Sequence, residues 1–195
     1  IGNNNDILEG LLNIDDPYAH VVKLVSENRG HRVITVGVHE AADLKICNQR
    51  YEPDGQVLKL NYVGNTRIIK LPLIGYFQAT NVLIAAALVI NLGIPFDKVF
   101  SCLPTLQAVP GRMELVGTKK SGAKVYVDYA HSPDALLSAL KALRPHTFGR
   151  LILIFGAGGE RDFGKRPLMG KLANLHADIT FITDDNPRSE DPKKI

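Results

Sequence analysis

The sequence predicts an α/β protein in which two regions of different topology follow one another. Between residues 32 and 71, apolar and polar side chains alternate in four short segments, which is typical of β-strands. From residue 111 onward, apolar strands alternate with helical segments, a pattern typical of a parallel sheet. This change of pattern predicts one domain over residues 1–110 and a second over residues 111–195.

The first region opens on a predicted helix. Two acids and a proline at residues 15–17 are helix-start residues, and Gly30 ends the helix soon after Asn28. Turn pairs at residues 54–55 and 64–65 predict an antiparallel patch, since such pairs join neighbouring strands. The predicted strands are residues 32–38, 43–50, 56–62 and 67–71, followed by a buried helix over 78–91 and a shorter one over 95–103.

The second region begins with two strands on either side of a hairpin turn at residues 119–122. Strands and helices then alternate regularly, which predicts a parallel sheet with right-handed crossovers. The predicted strands are residues 113–117, 124–128, 151–155 and 178–183, and the predicted helices are residues 133–143 and 167–176.

Composition excludes several classes of function. The net charge of +3 over 195 residues, with no run of lysine and arginine, argues against nucleic-acid binding. The longest apolar run, residues 82–92, is too short for membrane insertion. Cys47 and Cys102 have no metal-ligand spacing, which favours a reduced, cytoplasmic setting. Because Ile1 is not a start methionine and no closing element precedes Ile195, we expect a piece of a longer protein.

Polar residues gather in the loop that follows the strand at residues 124–128. Asp128 stands at the strand end, where a carboxylate can accept both hydroxyls of a ribose. His131 can donate to a phosphate or stack near a base. The alternative is a simple helix start, since Ser132 and Asp134 are both good N-terminal residues. We favour the functional interpretation of Asp128, because an acid that ends a buried strand needs a partner.

Two further loops follow consecutive strands. The glycines of residues 156–159 permit close backbone approach, and Arg161, Lys165 and Arg166 add cations suited to a carboxylate or a phosphate. A solvated basic loop is the alternative. Two acids, an amide and an arginine at residues 184–188 could grip a zwitterion, with acids on its ammonium and arginine on its carboxylate. An Asx turn fixed by Pro187 is equally compatible with that stretch.

Three polar residues lie near the start of helices or at the domain junction. Asn13 precedes the first helix, and Asn81 lies on an otherwise apolar one, where a buried structural amide is the simpler interpretation. Arg112 lies at the junction, from which it could reach a nucleotide or pair with Glu114.

Together these motifs resemble the Mur ligases, the ATP-dependent amide-bond enzymes of peptidoglycan synthesis. The last three motifs resemble the branch that adds the third residue of the peptide, and D-N-P-R resembles its diaminopimelate-adding members. The motifs are N-x-D-D at 13–16, G-x-F-x-x-x-N-x-x-A-A at 75–86, G-R-M-E at 111–114, D-Y-A-H-x-P-D at 128–134, G-G-x-R-D-x-G-K-R-P at 158–167 and D-N-P-R at 185–188.

The resemblance implies the end of a central P-loop-type ATPase domain, followed by the start of a Rossmann-like amino-acid-binding domain, both incomplete. It implies a monomeric ligase that uses ATP and Mg²⁺ to add meso-diaminopimelate to UDP-N-acetylmuramoyl-L-alanyl-D-glutamate through an acyl phosphate. The phosphate loop, the metal ligands and the catalytic residues would precede Ile1, so the fragment alone would be inactive. Gln78 departs from the asparagine found in many relatives.

The resemblance also implies roles for individual residues. Asn81 would contact adenine, Asp128 the ribose and Arg112 the phosphates, with His131 and Asn13 on the nucleotide side. The diaminopimelate pocket would consist of Arg161, Asp185, Asn186, Pro187 and Arg188. The alternatives are a lysine-adding or folylpolyglutamate-type ligase, or a non-catalytic nucleotide-binding relative.

Overall fold

The computed structural model describes residues 9–195, and side chains from residue 10 onward. The first eight residues of the predicted first domain lie outside this range. The described chain forms two compact units, one extending to Gln107 and the other beginning at Ala108.

The first unit is a mixed sheet with helices packed on it. Its described strands are β1 (Glu9–Asn13), β2 (Arg32–Gly37), β3 (Leu44–Glu52), β4 (Gly55–Tyr62) and β5 (Asn65–Leu71), in the spatial order β1-β2-β3-β4-β5. Its helices are α1 (Ala19–Asn28), α2 (Tyr76–Asn91) and α3 (Phe96–Cys102). Both α1 and α2 pack against β1 and β2.

The predicted antiparallel patch is only partly correct. Strands β3, β4 and β5 are antiparallel, but β2 runs parallel to β3. The two overlap only at Val36–Leu44 and Gly37–Lys45, because β3 begins beside the end of β2 and continues in the same direction. Asp43 stabilises this sideways step, since its carboxylate accepts from the backbone N–H of Thr35 at 2.8 Å and from its hydroxyl at 2.6 Å.

The predicted start of the first helix was also too early. Helix α1 begins at Ala19, and the Asp16 carboxylate accepts from the N–H of Tyr18 at 2.8 Å ahead of it. Asp15 does not cap the helix; its carboxylate accepts from the backbone N–H groups of Val38 and His39, in the loop after β2. Strand β1, which the sequence analysis did not predict, pairs in parallel with β2 along its whole length.

Alternate residues of the central strands form the core of this unit. Leu58 and Leu60 of β4 are fully buried, as is Leu83 of α2. Gln56 is also fully buried, and its amide donates to the carbonyls of Leu73 and Gly75 at 3.1 and 3.0 Å. These bonds satisfy a polar group in the core and hold the chain that leads into α2.

The second unit contains a hairpin and a parallel strand pair. The hairpin joins β6 (Glu114–Thr118) to β7 (Lys124–Val127), and the parallel pair joins β8 (Ile152–Phe155) to β9 (Ile179–Ile182). Helices α4 (Pro133–Leu143) and α5 (Lys165–His176) pack together over a core of Leu136, Leu140, Leu151 and Met169.

The predicted single parallel sheet is therefore wrong in one respect. Within the described chain, β7 pairs with β6 and not with β8. The hairpin predicted at residues 119–122 is confirmed, and its short loop closes at low entropic cost. The helix predicted over residues 133–143 coincides with α4, whose N-cap Ser132 accepts from the N–H of Ala135 at 3.3 Å.

Candidate functional site

Two predicted motifs meet at the end of β7. The Asp128 carboxylate accepts from the backbone N–H of Met113 at 3.0 Å, and the N–H of Tyr129 donates to the carbonyl of Gly111 at 2.8 Å. Glu114 accepts from the N–H of Gly111 at 2.7 Å, so it is held by this turn rather than by Arg112. The G-R-M-E turn and the loop after β7 therefore form one local structure.

Three exposed side chains lie side by side on this structure. The Arg112 guanidinium lies 5.0 Å from the centre of the Tyr129 ring, and the Tyr129 and His131 rings are 5.1 Å apart. All three side chains are exposed, and Arg112 has no ion pair among the described residues. A cation beside two flat rings at a strand end can bind phosphate oxygens and a planar base.

The loop after β7 contains both a helix cap and the residues considered for nucleotide binding, at different positions. Ser132 is the residue that caps α4, whereas Asp128 is bonded to the turn at Met113. Nδ1 of His131 lies 3.1 Å from the carbonyl of Tyr129, which fixes the ring beside its own loop.

The second and third loops lie against each other at the ends of β8 and β9. The N–H of Gly159 donates to the carbonyl of Asn186 at 2.8 Å, and the Arg188 guanidinium donates to the carbonyl of Gly159. A Cβ on Gly159 would clash with the carbonyl of Pro187, so only glycine permits this approach.

Both arginines predicted for the amino-acid pocket flank Gly158. A Cβ added to Gly158 would lie 3.2 Å from Nη1 of Arg188 and 3.8 Å from Cγ of Arg161. Neither arginine forms an ion pair among the described residues. The exposed guanidinium of Arg188 lies beside Gly158, with the stem of the Arg161 side chain next to the same glycine, and such a cation suits a carboxylate ligand.

A cleft of about 240 Å³ opens beside these loops. Asp185 and Pro187 line it, together with Asp184, Thr183 and the backbone of Gly156. Of the five residues predicted for the pocket, Arg161, Asn186 and Arg188 do not line this cleft. The structure thus places two of the five on the cleft and both arginines together at Gly158.

An ion pair that the sequence analysis did not identify joins the two loops. Arg166 donates to both carboxylate oxygens of Glu190, at 3.0 and 2.9 Å, and its guanidinium lies 4.3 Å from the centre of the Phe163 ring. Arg166 and the N–H of Glu160 both donate to Glu190 and hold its pKa below the ordinary value. Since 24 residues separate the partners, no local spacing could have revealed the pair.

A lysine connects this loop pair with the loop after β7. The ammonium of Lys165 donates to the carbonyl of His131 at 2.9 Å. The predicted nucleotide residue His131 and the glycine-rich loop are therefore hydrogen-bonded neighbours within the second unit.

The remaining predicted residues belong to the first unit. Asn13 ends β1, and its side chain accepts from the N–H of Asp15 at 3.1 Å, forming a local turn. Asn81 is exposed on α2, so its interpretation as a buried structural amide is wrong. Gln78 is the buried amide of that helix instead.

Within the described chain, no three or more His, Cys, Asp or Glu side chains are grouped in a way that could hold a metal ion. Nor does the described part contain a helix that is both long and apolar enough to cross a membrane.

Comparison with known proteins agrees with the motif pattern. Residues 3–89 match the family model for the Mur ligase middle domain, and residues 111–195 match the model for the Mur ligase, glutamate ligase domain. The UDP-N-acetylmuramoyl-L-alanyl-D-glutamate--2,6-diaminopimelate ligase of Chelativorans sp. (strain BNC1) is 46% identical over 181 residues, which cover 93% of this chain and 37% of that protein.

Solved structures share the fold. The structure of a UDP-N-acetylmuramoyl-L-alanyl-D-glutamate--2,6-diaminopimelate ligase superimposes with a TM-score of 0.71 at 32% identity, covering 96% of this chain and 39% of that one. A folylpolyglutamate synthase of Mycobacterium tuberculosis, complexed with ADP, has a TM-score of 0.65 at 22% identity, covering 85% and 36%, and shows likeness of fold alone. The chain spans little more than a third of the length of the curated relatives it matches.

Proposed function

Because this chain belongs to the Mur ligase family, we propose that it is part of an ATP-dependent ligase that adds meso-diaminopimelate to UDP-N-acetylmuramoyl-L-alanyl-D-glutamate. Residues 1–110 contribute the end of the central, ATP-binding domain, and residues 111–195 the start of the amino-acid-binding domain. The observation that carries the proposal is the contact between the two loops at Gly158 and Gly159, where the Arg188 guanidinium lies.

The nucleotide is held by the neighbouring side chains at the end of β7 and in the turn before β6. Asp128 accepts the ribose hydroxyls, and the exposed guanidinium of Arg112 binds phosphate oxygens beside Tyr129. His131 and Asn13 belong to the nucleotide side, and the exposed amide of Asn81 is available to adenine. Mg²⁺, for which the described residues offer no group of three His, Cys, Asp or Glu ligands, would neutralise the charge of the phosphates.

The reaction is a two-step amide synthesis. An oxygen of the dipeptide carboxylate takes the γ-phosphoryl group, and ADP leaves. The amine of the incoming amino acid then attacks the activated carbonyl carbon, loses its proton and expels phosphate as the C–O bond breaks. In this chain, Asp185 and Asn186 orient the amino acid, and Arg161 and Arg188 bind its carboxylate.

Discrimination against lysine follows from charge. Diaminopimelate carries a second carboxylate on its distal carbon, and lysine does not. A charge-assisted hydrogen bond to Arg188 contributes about 1.5–3 kcal/mol, equivalent to roughly 10- to 100-fold in selectivity. Lysine also leaves that guanidinium unpaired in the pocket, which disfavours it further.

The test is phosphate release by the full-length protein that carries this sequence, with ATP, Mg²⁺ and the UDP-muramoyl dipeptide. We expect release with meso-diaminopimelate and much less with L-lysine. Release that favours lysine would retain the ligase and reject its specificity. Release only with a folate substrate and glutamate would assign the chain to the folylpolyglutamate branch, and ADP binding without release would indicate a non-catalytic relative.

The same proposal includes a cytoplasmic, monomeric enzyme that binds neither nucleic acid nor membrane. Its small-molecule substrates are the UDP-linked dipeptide and the diamino acid. Sedimentation of the full-length protein with and without ATP tests the monomer directly.

A further inference from the structure

Of the ion pairs described here, the Arg166–Glu190 pair has the least exposed side chains. The side chains are 10% and 19% exposed, and the two hydrogen bonds are bidentate. Nε of Arg166 is buried and has no hydrogen-bond partner among the described residues. Burial of a charged pair in a small unit requires good geometry, so this pair is held in one arrangement.

Each partner of the pair also bonds to the glycine-rich loop. Arg166 donates to the carbonyl of Gly158 at 3.4 Å, and Glu190 accepts from the N–H of Glu160. Gly158 and Glu160 lie on either side of Gly159, and the carbonyl of Gly159 accepts from Arg188. The Arg166–Glu190 pair therefore holds the loop on both sides of the point that Arg188 contacts.

Two backbone conformations on either side of the pair need such a restraint. Glu160 has φ 53° and Arg188 has φ 52°, both in the left-handed region that side-chain-bearing residues rarely adopt. One lies in each of the two joined loops. Strained residues of this kind persist where their surroundings restrain them, and the contacts between the two loops, among them the Arg166–Glu190 pair and the bond from Ser189 to Glu160, supply that restraint.

On this geometry, and resting on the proposed function, we propose that Arg166 and Glu190 are positioning residues for the amino-acid substrate. They fix the two loops so that the Arg188 guanidinium, held beside Gly158 and Gly159, meets the distal carboxylate. Arg166 lines the cleft, but its two terminal nitrogens are occupied by Glu190 and Gly158, and Glu190 itself does not line the cleft. The pair therefore acts through Arg188.

The experiment uses the full-length protein and steady-state phosphate release. We expect Glu190→Gln to raise KM for meso-diaminopimelate by about 10- to 100-fold, because an ångström-scale displacement of a binding group has an effect of that order. KM for ATP stays within about twofold, and the preference over lysine falls. Glu190→Asp restores part of the loss. The double variant Arg166→Met/Glu190→Gln should raise KM by less than the product of the rises in the two single variants, because both single changes remove the shared contact.

Asp178→Asn is the matched control. Asp178 also pairs with an arginine, Arg144 at 2.7 Å, but it lies at the opposite end of β8 and β9. It should lower the melting temperature without raising KM for the amino acid.

An unchanged KM in Glu190→Gln, or an equal rise for ATP and the amino acid, would overturn the positioning role while leaving the ligase intact. A wild-type protein that releases no phosphate with any acceptor would instead overturn the proposed function, and the positioning role with it.

Discussion

Under the proposed function, substrate choice depends on Arg188. Its guanidinium lies at Gly158 and Gly159 and has no acidic partner among the described residues. We expect Arg188→Ala to lower the ratio of kcat/KM for diaminopimelate over lysine by about 10- to 100-fold, because one charge-assisted bond is lost. Arg150→Ala, which removes an exposed arginine elsewhere in the unit, is the control. A variant at residue 188 that kept the wild-type ratio would refute this account.

Two carboxylates make the stability of the second unit depend on pH. A hydrogen bond from the N–H of Leu151, at 2.6 Å, and then one from Arg144 hold the pKa of Asp178 below its ordinary value of 3.8. The bonds from Arg166 and Glu160 lower the pKa of Glu190 below 4.5. A depressed folded-state pKa means that the carboxylate stabilises the fold above its ordinary pKa and that this contribution is lost as pH falls through the folded value.

We therefore expect the free energy of unfolding to decline as the pH is lowered below these ordinary values. Urea titrations between pH 3 and pH 7 should show a shallower decline in Asp178→Asn than in wild type. Equal slopes in the two proteins would show that Asp178 is not one of the groups responsible.

At the scale of elements, substitution of two glycines distinguishes the contact between the loops from the stability of a helix. Gly159 admits no side chain because the carbonyl of Pro187 occupies the space, whereas Gly170 within α5 has open space around its Cβ position. We expect Gly159→Ala to separate the loops and to lower both stability and amino-acid binding.

The matched change Gly170→Ala should raise stability by about 0.5–1 kcal/mol, since alanine is the better helix former. Denaturant unfolding measures the free energy of unfolding of Gly159→Ala and of Gly170→Ala. If Gly159→Ala were as stable as wild type, the close approach of the loops would not exist in solution.

At the scale of the whole molecule, the chain consists of two units with separate cores. The first buries Leu44, Leu58, Leu60, Leu71 and Leu83, whereas the second has the smaller cluster around Leu136 and Leu140. Several apolar residues of β8 and β9, including Ile154 and Ile182, are exposed. We expect the second unit to unfold first, because less apolar surface is buried in it.

Calorimetry with one core substitution in each unit tests this order. Leu140→Ala and Leu58→Ala should each destabilise by about 2–5 kcal/mol. The first should shift only the lower transition, and the second only the upper one. A single transition that both variants shift equally would mean that the chain unfolds as one cooperative body.

Much of the fold and the family could be predicted from local patterns. Helix α4 coincides with the predicted residues 133–143, because Ser132, Pro133 and the apolar spacing that follows all act within a few positions. The α/β class and the Mur ligase family are confirmed as well. The motifs that identified the family are short, contiguous segments, so they can be recognised in the sequence without a structure.

What only the tertiary structure decided are relations between distant residues. The parallel pairing of β2 with β3 is accompanied by the bond between Thr35 and Asp43, and within the described chain β8 pairs with β9 but not with β7. The Arg166–Glu190 pair joins residues 24 positions apart. The sequence by itself determined which residue types occupy each strand end, because periodicity and turn chemistry are local. Which of those side chains meet was decided by the path of the chain, since burial and pairing are properties of the folded whole.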